Sequence, residues 1–475
     1  MSHHLDDQKV DLAHDETSYP AVNKADSEAY VDTYVEGTDE EKRLLRKIDR
    51  HMLPMLWVMY ILNYIDRTNV GNAKSGGMET DLRLSSSDYS LIVSIFFVSY
   101  LLFEVPCNMI LARSRPSIFL PAIMFIWGSM SIGVAGVNSL GGMVAWRFCL
   151  GIAEAGFFPG VMLLMSCWYK PAELSKRVAF FYTASLLSGS FGGLLAGGII
   201  TGLEGTNGIR GWKWLFIIEV GAASAVVAIA AFFVLPDYPS TTKWLNEEEK
   251  ALAVARVSSG LHAGEEAEVS HKVAFVQALK DPRMWGFLLT YNMVTCAGTI
   301  SYFFPTLMGA LGYRGSMVQY MTVPIYTVAL IIAVTAGFTA DRTGWKAYHC
   351  MGACLMGCAS FIICSTVSDY KVRYAFICFG GAGIWTTVPI FLSWVVTMFE
   401  GREKRAIAIA LINGFGNLSS VYGSFLWPST DAPVYRTGFG VTTALLGSAG
   451  IMCFILRWIY GDKGVIGRAG QQARA

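Results

Sequence analysis

Charge is what this sequence has least of. Of its 475 residues only 15% are Asp, Glu, Lys or Arg, whereas 53% are hydrophobic. Soluble domains carry roughly 25% charged residues. A soluble chain this apolar could not clothe its own surface, so the excess must face lipid. The 37 basic and 36 acidic residues leave a formal net charge of +1, and no basic stripe interleaved with aromatics occurs, which argues against a nucleic-acid partner. Histidine is scarce: His3, His4, His14, His51, His262, His271 and His349 all lie outside the depths of apolar runs, so no buried histidine metal site is expected. The ten cysteines contain no C-x-x-C pair. Cys350, Cys354 and Cys358 share one helix face and read as small residues at a helix contact rather than metal ligands. No secretory leader is expected, because the first 40 residues are polar and acid-rich.

What the chain does have is apolar runs long enough to cross a bilayer, which takes roughly 20 residues. They fall near 53–75, 88–111, 117–138, 141–167, 177–202 and 213–235, then near 284–311, 316–340, 348–367, 372–397, 405–427 and 437–460. Backbone in lipid must be hydrogen-bonded within its own segment, so an all-α integral membrane fold of twelve transmembrane helices is predicted. The expected units are a disordered cytoplasmic tail (1–48), a first six-helix bundle (49–236), a cytoplasmic linker (237–283), a second six-helix bundle (284–460) and a short cytoplasmic tail (461–475). Within the linker, Asn246 and Glu249 form a capping-box pattern ahead of an amphipathic helix. Two equal halves are the mark of transporters built from internal repeats, whose site lies near the midplane. Every second loop is basic (Arg113/Arg115, Lys170/Lys176/Arg177, Arg342/Lys346, Arg402/Lys404/Arg405), which puts both termini in the cytoplasm.

Ionisable residues inside spans each cost about 2.5 kcal/mol or more unless paired or wet. The first span carries Asp66 and Arg67, the second Glu104, the fourth Arg147 and Glu154, and the sixth Glu219. Glu104 stands two residues before Pro106 and reads as structural, next to a helix bend. Arg147 and Glu154 share a helix face about 10 Å apart, so each should face a partner on another helix, with Asp66 the expected partner of Arg147. Two readings stand side by side: fixed ion pairs locking helices together, or arginines that hold an anion beside carboxylates that carry protons. The stretch Gly189-Ser-Phe-Gly192-Gly193 lies in an apolar span and follows no strand, so it is a helix-packing surface and not a phosphate loop. Trp394, Asn413 and Asn417 are the polar or amphipathic residues of note in the second half.

The segment Gly337-Phe-Thr-Ala-Asp341-Arg342-Thr-Gly344-Trp-Lys346 resembles the cytoplasmic loop motif of the major facilitator superfamily, G-x-x-x-D-R-x-G-x-K, and stands between the second and third helices of the second half. Its first-half counterpart, Asn108-Met-Ile-Leu-Ala112-Arg113-Ser-Arg115-Pro116, lacks the Asp. More narrowly, the chain resembles the anion:cation symporters of the fungal allantoate permease-like and vitamin carboxylate branch. That resemblance rests on Tyr64-Ile-Asp-Arg67-Thr-Asn-Val-Gly-Asn-Ala-Lys74, Phe103-Glu-Val-Pro-Cys-Asn108, Arg147-Phe-Cys-Leu-Gly-Ile-Ala-Glu154, Trp168-Tyr-Lys-Pro-Ala-Glu173, Asp281-Pro-Arg-Met-Trp285 and Asn413-Gly-Phe-Gly-Asn417.

The resemblance implies a rocker-switch fold of two pseudo-symmetric bundles and proton-driven uptake of a small organic anion, a vitamin-like carboxylate, by a monomer in the plasma membrane. It implies Asp66 and Glu154 as proton-coupling groups, and Arg67, Arg147, Tyr64, Trp394 and Asn413 as substrate contacts. Gly337, Asp341, Arg342 and Gly344 would form the cytoplasmic gating motif, and no cofactor beyond the proton would be needed. Thr397-Met398 stands where fungal relatives commonly carry paired Asn, which motivates the alternative of a secondary-metabolite or toxin exporter on the same fold. Membrane-embedded enzymes are disfavoured, since no nucleophile–histidine pair lies in a span.

Overall fold

The computed structural model describes residues 34–112, 114–262, 271–399 and 402–461. Arg113, most of the expected N-terminal tail and the C-terminal tail from residue 462 lie outside the described residues, as does the side chain of Arg402. Among the described residues there are helices and turns but no strands.

The first half contains α1 (Asp39–Ala73), α2 (Ser86–Ala112), α3 (Pro116–Ile132), α4 (Leu140–Trp168), α5 (Pro171–Gly202) and α6 (Gly211–Val234). The linker holds α7 (Glu247–His262) and α8 (His271–Lys280). The second half contains α9 (Pro282–Gly298), α10 (Val323–Thr343), α11 (Lys346–Thr366), α12 (Tyr370–Met398), α13 (Arg402–Gly423) and α14 (Arg436–Tyr460). α9 runs on through a tighter turn, Thr299–Phe303, into Phe304–Ala310.

α1 begins earlier than the sequence suggests. Residues 39–48, assigned above to the disordered tail, are helical. The hydroxyl of Thr38 accepts the Glu41 N–H at 3.2 Å, and Asp39, Glu40 and Glu41 complement the helix dipole in the first turn. Elsewhere Ser139, Asp281 and Asp369 cap α4, α9 and α12, and proline starts α3, α5 and α9 where an N–H would have no partner anyway.

Nine helices among the described residues are long and apolar enough to span a membrane by themselves. The three spans missing from that group are α1, the interrupted α9 and α13. Each of these puts polar residues on the central cavity, and α9 is also short, at 17 residues before its tighter turn.

Apart from a Tyr182–Tyr291 contact on the cavity wall, the hydrogen bonds that join the halves among the described residues gather at one end. At the distal end, where α1 finishes and α2 starts, the Tyr89 hydroxyl donates to the Tyr302 carbonyl at 2.7 Å. Ser90 and Ser94 of α2 donate to the carbonyls of Ser424 and Val421 at 2.8 and 2.7 Å. Gly71 of α1 lies so close to α9 that an added Cβ would sit 2.6 Å from the Tyr302 carbonyl oxygen. At the proximal end, among the described residues, no hydrogen bond joins the two halves. Gly71→Ala is therefore expected to push α1 off α9 and to favour the distally open state. More rapid labelling of a cysteine introduced at Ser85 would register that change, and unchanged labelling would contradict it.

Linker helix α7 is docked on the proximal face of the first half, whereas α8 packs against α13 and α9 of the second. The start of α7 has the expected capping box: the Glu249 N–H donates to Asn246 Oδ1 at 2.7 Å, and the Asn246 N–H to Glu249 Oε2 at 3.1 Å. Fully buried Arg256 of α7 reaches Glu41 at 3.2 Å, Glu173 at 2.5 Å and the Trp168 carbonyl at 3.1 Å. Lys170 adds a bond to Glu41 at 2.8 Å. Thus α1, α4, α5 and the linker share one charge cluster.

Candidate functional site

A cavity of about 120 Å3 lies between the halves. α1 lines it with Tyr60, Tyr64 and Arg67, at i, i+4 and i+7, which is one helical face. α13 does the same from the other half with Asn413, Asn417 and Ser420. α9 contributes Tyr291, Thr295 and Gly298, and α12 contributes Trp385. Tyr100, Tyr182 and Tyr302 complete a wall rich in phenol rings. Among the described lining residues, Arg67 is the single charged side chain.

Arg67 does not stand alone. Its Nε donates to Glu154 Oε2 at 3.0 Å, and Asn63 Nδ2 donates to the same oxygen at 2.8 Å. Asn63 and Arg67 are one turn apart on α1, so α1 presents a two-pronged grip to the α4 carboxylate. Glu154 is fully buried, and beside these two donors it lies against the Asp66 carboxyl. The Arg67 guanidinium lies 4.8 Å from the ring centre of Tyr100 and 5.3 Å from that of Phe96. Arg147 lies 4.9 Å from the other claimant on that ring's density, the same Phe96. One aromatic face system thus serves two guanidinium groups, which partly offsets their burial.

The sequence-derived site residues divide into three groups. Tyr64, Arg67 and Asn413 line the cavity. Glu154 stands one bond behind it, on Arg67. Asp66 and Arg147 are fully buried and do not line the cavity. The expected Arg147–Asp66 pair is not formed at hydrogen-bond distance. The Asp66 carboxyl instead lies within hydrogen-bonding reach of the Glu154 carboxyl, with Arg147 near enough to act on both through its charge. Both terminal Arg147 nitrogens lack hydrogen-bond partners, and its Nε points to the Ile92 carbonyl at 3.5 Å.

Trp394 is displaced from the role expected of it. It is fully buried with its ring centre 4.9 Å from Phe287 and 5.9 Å from Phe391, inside the second half. Trp385, two and a half turns earlier on α12, takes the cavity position and packs edge-on to Tyr64 at 5.8 Å. Asn63, Tyr100, Tyr182, Tyr291, Tyr302 and Trp385 were not singled out from sequence. The i, i+4, i+7 stripes on α1 and α13 were the available signal for part of this set.

The loop motif after α10 has the geometry its glycine requires. Gly344 closes α10 at φ 71°, and its N–H reaches the Ala340 carbonyl at 2.9 Å. Arg342 stacks on Phe338 at 4.2 Å. Asp341 is exposed and forms no ion pair among the described residues, at the end of the bundle where the halves are not bonded. Gly337 lies in open space on α10. No group of three or more His, Cys, Asp or Glu suited to a metal ion occurs among the described residues.

The model of the Major Facilitator Superfamily matches residues 56–424. The chain belongs to that superfamily. Among curated superfamily relatives, MFS transporter prlL from Fungal sp. (strain NRRL 50135) is 34% identical over 93% of this chain and 91% of its own length. MFS-type transporter cnsO from Penicillium expansum is 33% identical over 95% of this chain and 90% of its own. A putative tartrate transporter from Agrobacterium vitis is 32% identical over 87% and 90%. The superfamily fold is matched by a bacterial homolog of the human lysosomal transporter Spinster in an inward-facing, unoccupied conformation, with a TM-score of 0.69, 16% identity and coverage of 86% of this chain and 97% of that one. A D-xylose–proton symporter matches with a TM-score of 0.65, 14% identity and coverage of 85% and 96%. The chain is thus a multi-pass membrane transporter and not an enzyme.

Proposed function

We propose that this transporter imports a small organic monocarboxylate together with a proton, by alternating access, as a monomer in the plasma membrane with both termini cytoplasmic. The carrying observation is the Arg67–Glu154 contact at 3.0 Å on the wall of the central cavity. One guanidinium there serves two claimants. A substrate carboxylate that reaches Arg67 must displace a charged Glu154 or lie beside it, and like charges repel at that distance. A proton on Glu154 weakens its hold on Arg67 and frees the guanidinium fork for a bidentate anion. Proton and anion therefore bind together more readily than either alone, which is the condition for symport.

The neutral donors of Asn413, Asn417 and Ser420 would orient the rest of the substrate, and the phenol rings would pack its body. Asp66, whose carboxyl lies against Glu154, shares the proton-coupling role, and Arg147 is the buried cation near both. The resemblance to anion:cation symporters and the tartrate transporter named among the relatives support an anionic cargo. With the termini in the cytoplasm, the distal bonds close the outer side and the cavity faces inward.

The test is uptake of labelled nicotinate, pantothenate, biotin, allantoate and tartrate by cells expressing the chain, at acidic and neutral external pH. Saturable uptake of one compound, enhanced by acid and abolished by a protonophore, is expected. Glu154→Gln should keep exchange of that compound across the membrane but lose its accumulation. Accumulation by Glu154→Gln equal to that of the unaltered chain would overturn the coupling role. Surface-expressed protein that takes up none of the panel would turn the reading to export of a larger metabolite.

A further inference from the structure

One buried carboxylate plays no part in the Arg67–Glu154 site. Glu219 lies on α6 and is only 3% exposed, in a wide π-helical stretch, Phe216–Ala222. Such one-turn departures from α geometry are frequent where a helix positions a functional group. Its Oε2 accepts the Asn69 Nδ2–H at 3.0 Å, and its Oε1 has no hydrogen-bond partner. Asn69 Oδ1 in turn accepts from Asn72 at 3.1 Å.

Among the described residues, the groups placed against this carboxylate are uncharged; α4 reaches the same stretch through Trp146, 5.1 Å from Phe216, and the adjacent Arg147 is turned to Phe96 and the Ile92 carbonyl. α1 offers Asn69, and α5 offers Gly192, where an added Cβ would sit 3.7 Å from Oε1. α3 packs on the same stretch at Gly221, through Gly128 and Ile132. Lys213, on α6 itself, is turned to the Ala135 carbonyl at 3.0 Å and to Asn138 at 2.7 Å. Among the described residues no cation pairs with Glu219. A charged carboxylate with one amide donor and no cation is costly to bury, whereas the neutral acid is far cheaper.

The hydrogen-bonded line leads to the moving part of the molecule. Asn72 and Thr68 form one wall of a second, small cavity of about 10 Å3 on the distal side of the first, room for about one water. Its far wall is Ser301, Thr322 and Tyr326 of the other half. When the halves part distally that wall leaves, and the Asn72–Asn69–Glu219 line meets water.

We propose that Glu219 is a further proton-binding site, separate from Asp66 and Glu154, loaded from distal water and occupied while the halves are closed there. The step is a simple exchange. A proton from distal water adds to one carboxylate oxygen as the halves close, and returns to water on the same side when they part. No proton crosses the membrane by this route; the site makes distal closure depend on distal pH. The idea does not rest on which cargo is carried.

The experiment uses the full chain in lipid nanodiscs without substrate, over a pH series. Infrared difference spectra are expected to show a protonated-carboxyl band that is lost in Glu219→Gln and kept in Glu154→Gln. Deuterium uptake of residues 74–85, corrected for intrinsic exchange rates, should rise with pH in the unaltered chain and be indifferent to pH in Glu219→Gln. If Glu219→Gln fails to assemble, Glu219→Asp serves instead and should move the band and the uptake midpoint together. A spectrum unchanged by these substitutions, or distal uptake indifferent to pH in the unaltered chain, would overturn the proposal. Either result leaves the cargo assay and the Glu154 test untouched.

Discussion

Replacing Arg67 with alanine is expected to lower transport by about a hundredfold or more at equal surface expression. The substitution removes the single charged side chain among the described lining residues and leaves buried Glu154 with Asn63 and the neighbouring Asp66 carboxyl. Breaking one partner of a buried, hydrogen-bonded ion pair costs about 3–5 kcal/mol, and each 1.4 kcal/mol is tenfold. Arg67→Lys keeps the charge but not the planar fork, and should fall between the two. Some of the alanine effect could come from the stranded carboxylate. The double variant Arg67→Ala/Glu154→Gln removes that strain. It should regain the thermal stability of the unaltered chain and remain inactive. A fully active Arg67→Ala protein would move the anion site elsewhere.

Arg256→Met is expected to release the linker from the first half. Arg256 is fully buried and bonds Glu41, Glu173 and the Trp168 carbonyl, so its loss leaves two carboxylates facing a gap. The expected cost is again about 3–5 kcal/mol. It should appear as faster proteolysis within α7 and a lower Tm, and unchanged proteolysis would show that packing alone docks the linker. The same cluster sets an acid limit. Burial alone would raise Glu41, but the bonds from Lys170, Tyr34, the Gly37 N–H and Arg256 outweigh it and hold its carboxyl at about 2, down from 4.5. The group is depressed in the folded state, so its contribution is complete above about pH 4.5 and is lost as pH falls through about 2. Linker protection should therefore be the same at pH 7 and pH 5. Lys170 moves the opposite way: burial opposes its charge, but Glu41, Tyr34 and Glu36 more than compensate and raise it.

Much of the candidate site could be read from residue types in helical register. Asp66, Arg67, Arg147 and Glu154 stood out because charge is expensive in a span, and the structure gathers them around α1 and α4. Their roles were less legible. Asp66 and Arg67 are neighbours in sequence, yet neighbours on a helix point about 100° apart. Arg67 reaches the cavity, whereas Asp66 turns into the first half against Glu154, and Arg147, though near Asp66, makes its hydrogen bond to the Ile92 carbonyl. Trp394 and Trp385 sit on the same helix with similar local sequence character. Their separation of nine positions amounts to two and a half turns, so they face opposite ways. Local sequence does not say which of the two faces the cavity.

The sequence by itself determined that this chain lives in a membrane, that it is helical, and that it has two six-helix halves with a capped linker helix between them. Those conclusions follow from composition, run length and local capping, which are properties of short stretches of chain. Only the tertiary structure decided which carboxylate holds Arg67, which end of the bundle is closed, that Arg256 clamps the linker, and that Glu219 is buried beside uncharged neighbours. Each of these depends on the rotation of one helix against another. Rotation is set by side-chain packing between segments far apart in sequence, and a linear pattern carries no record of it.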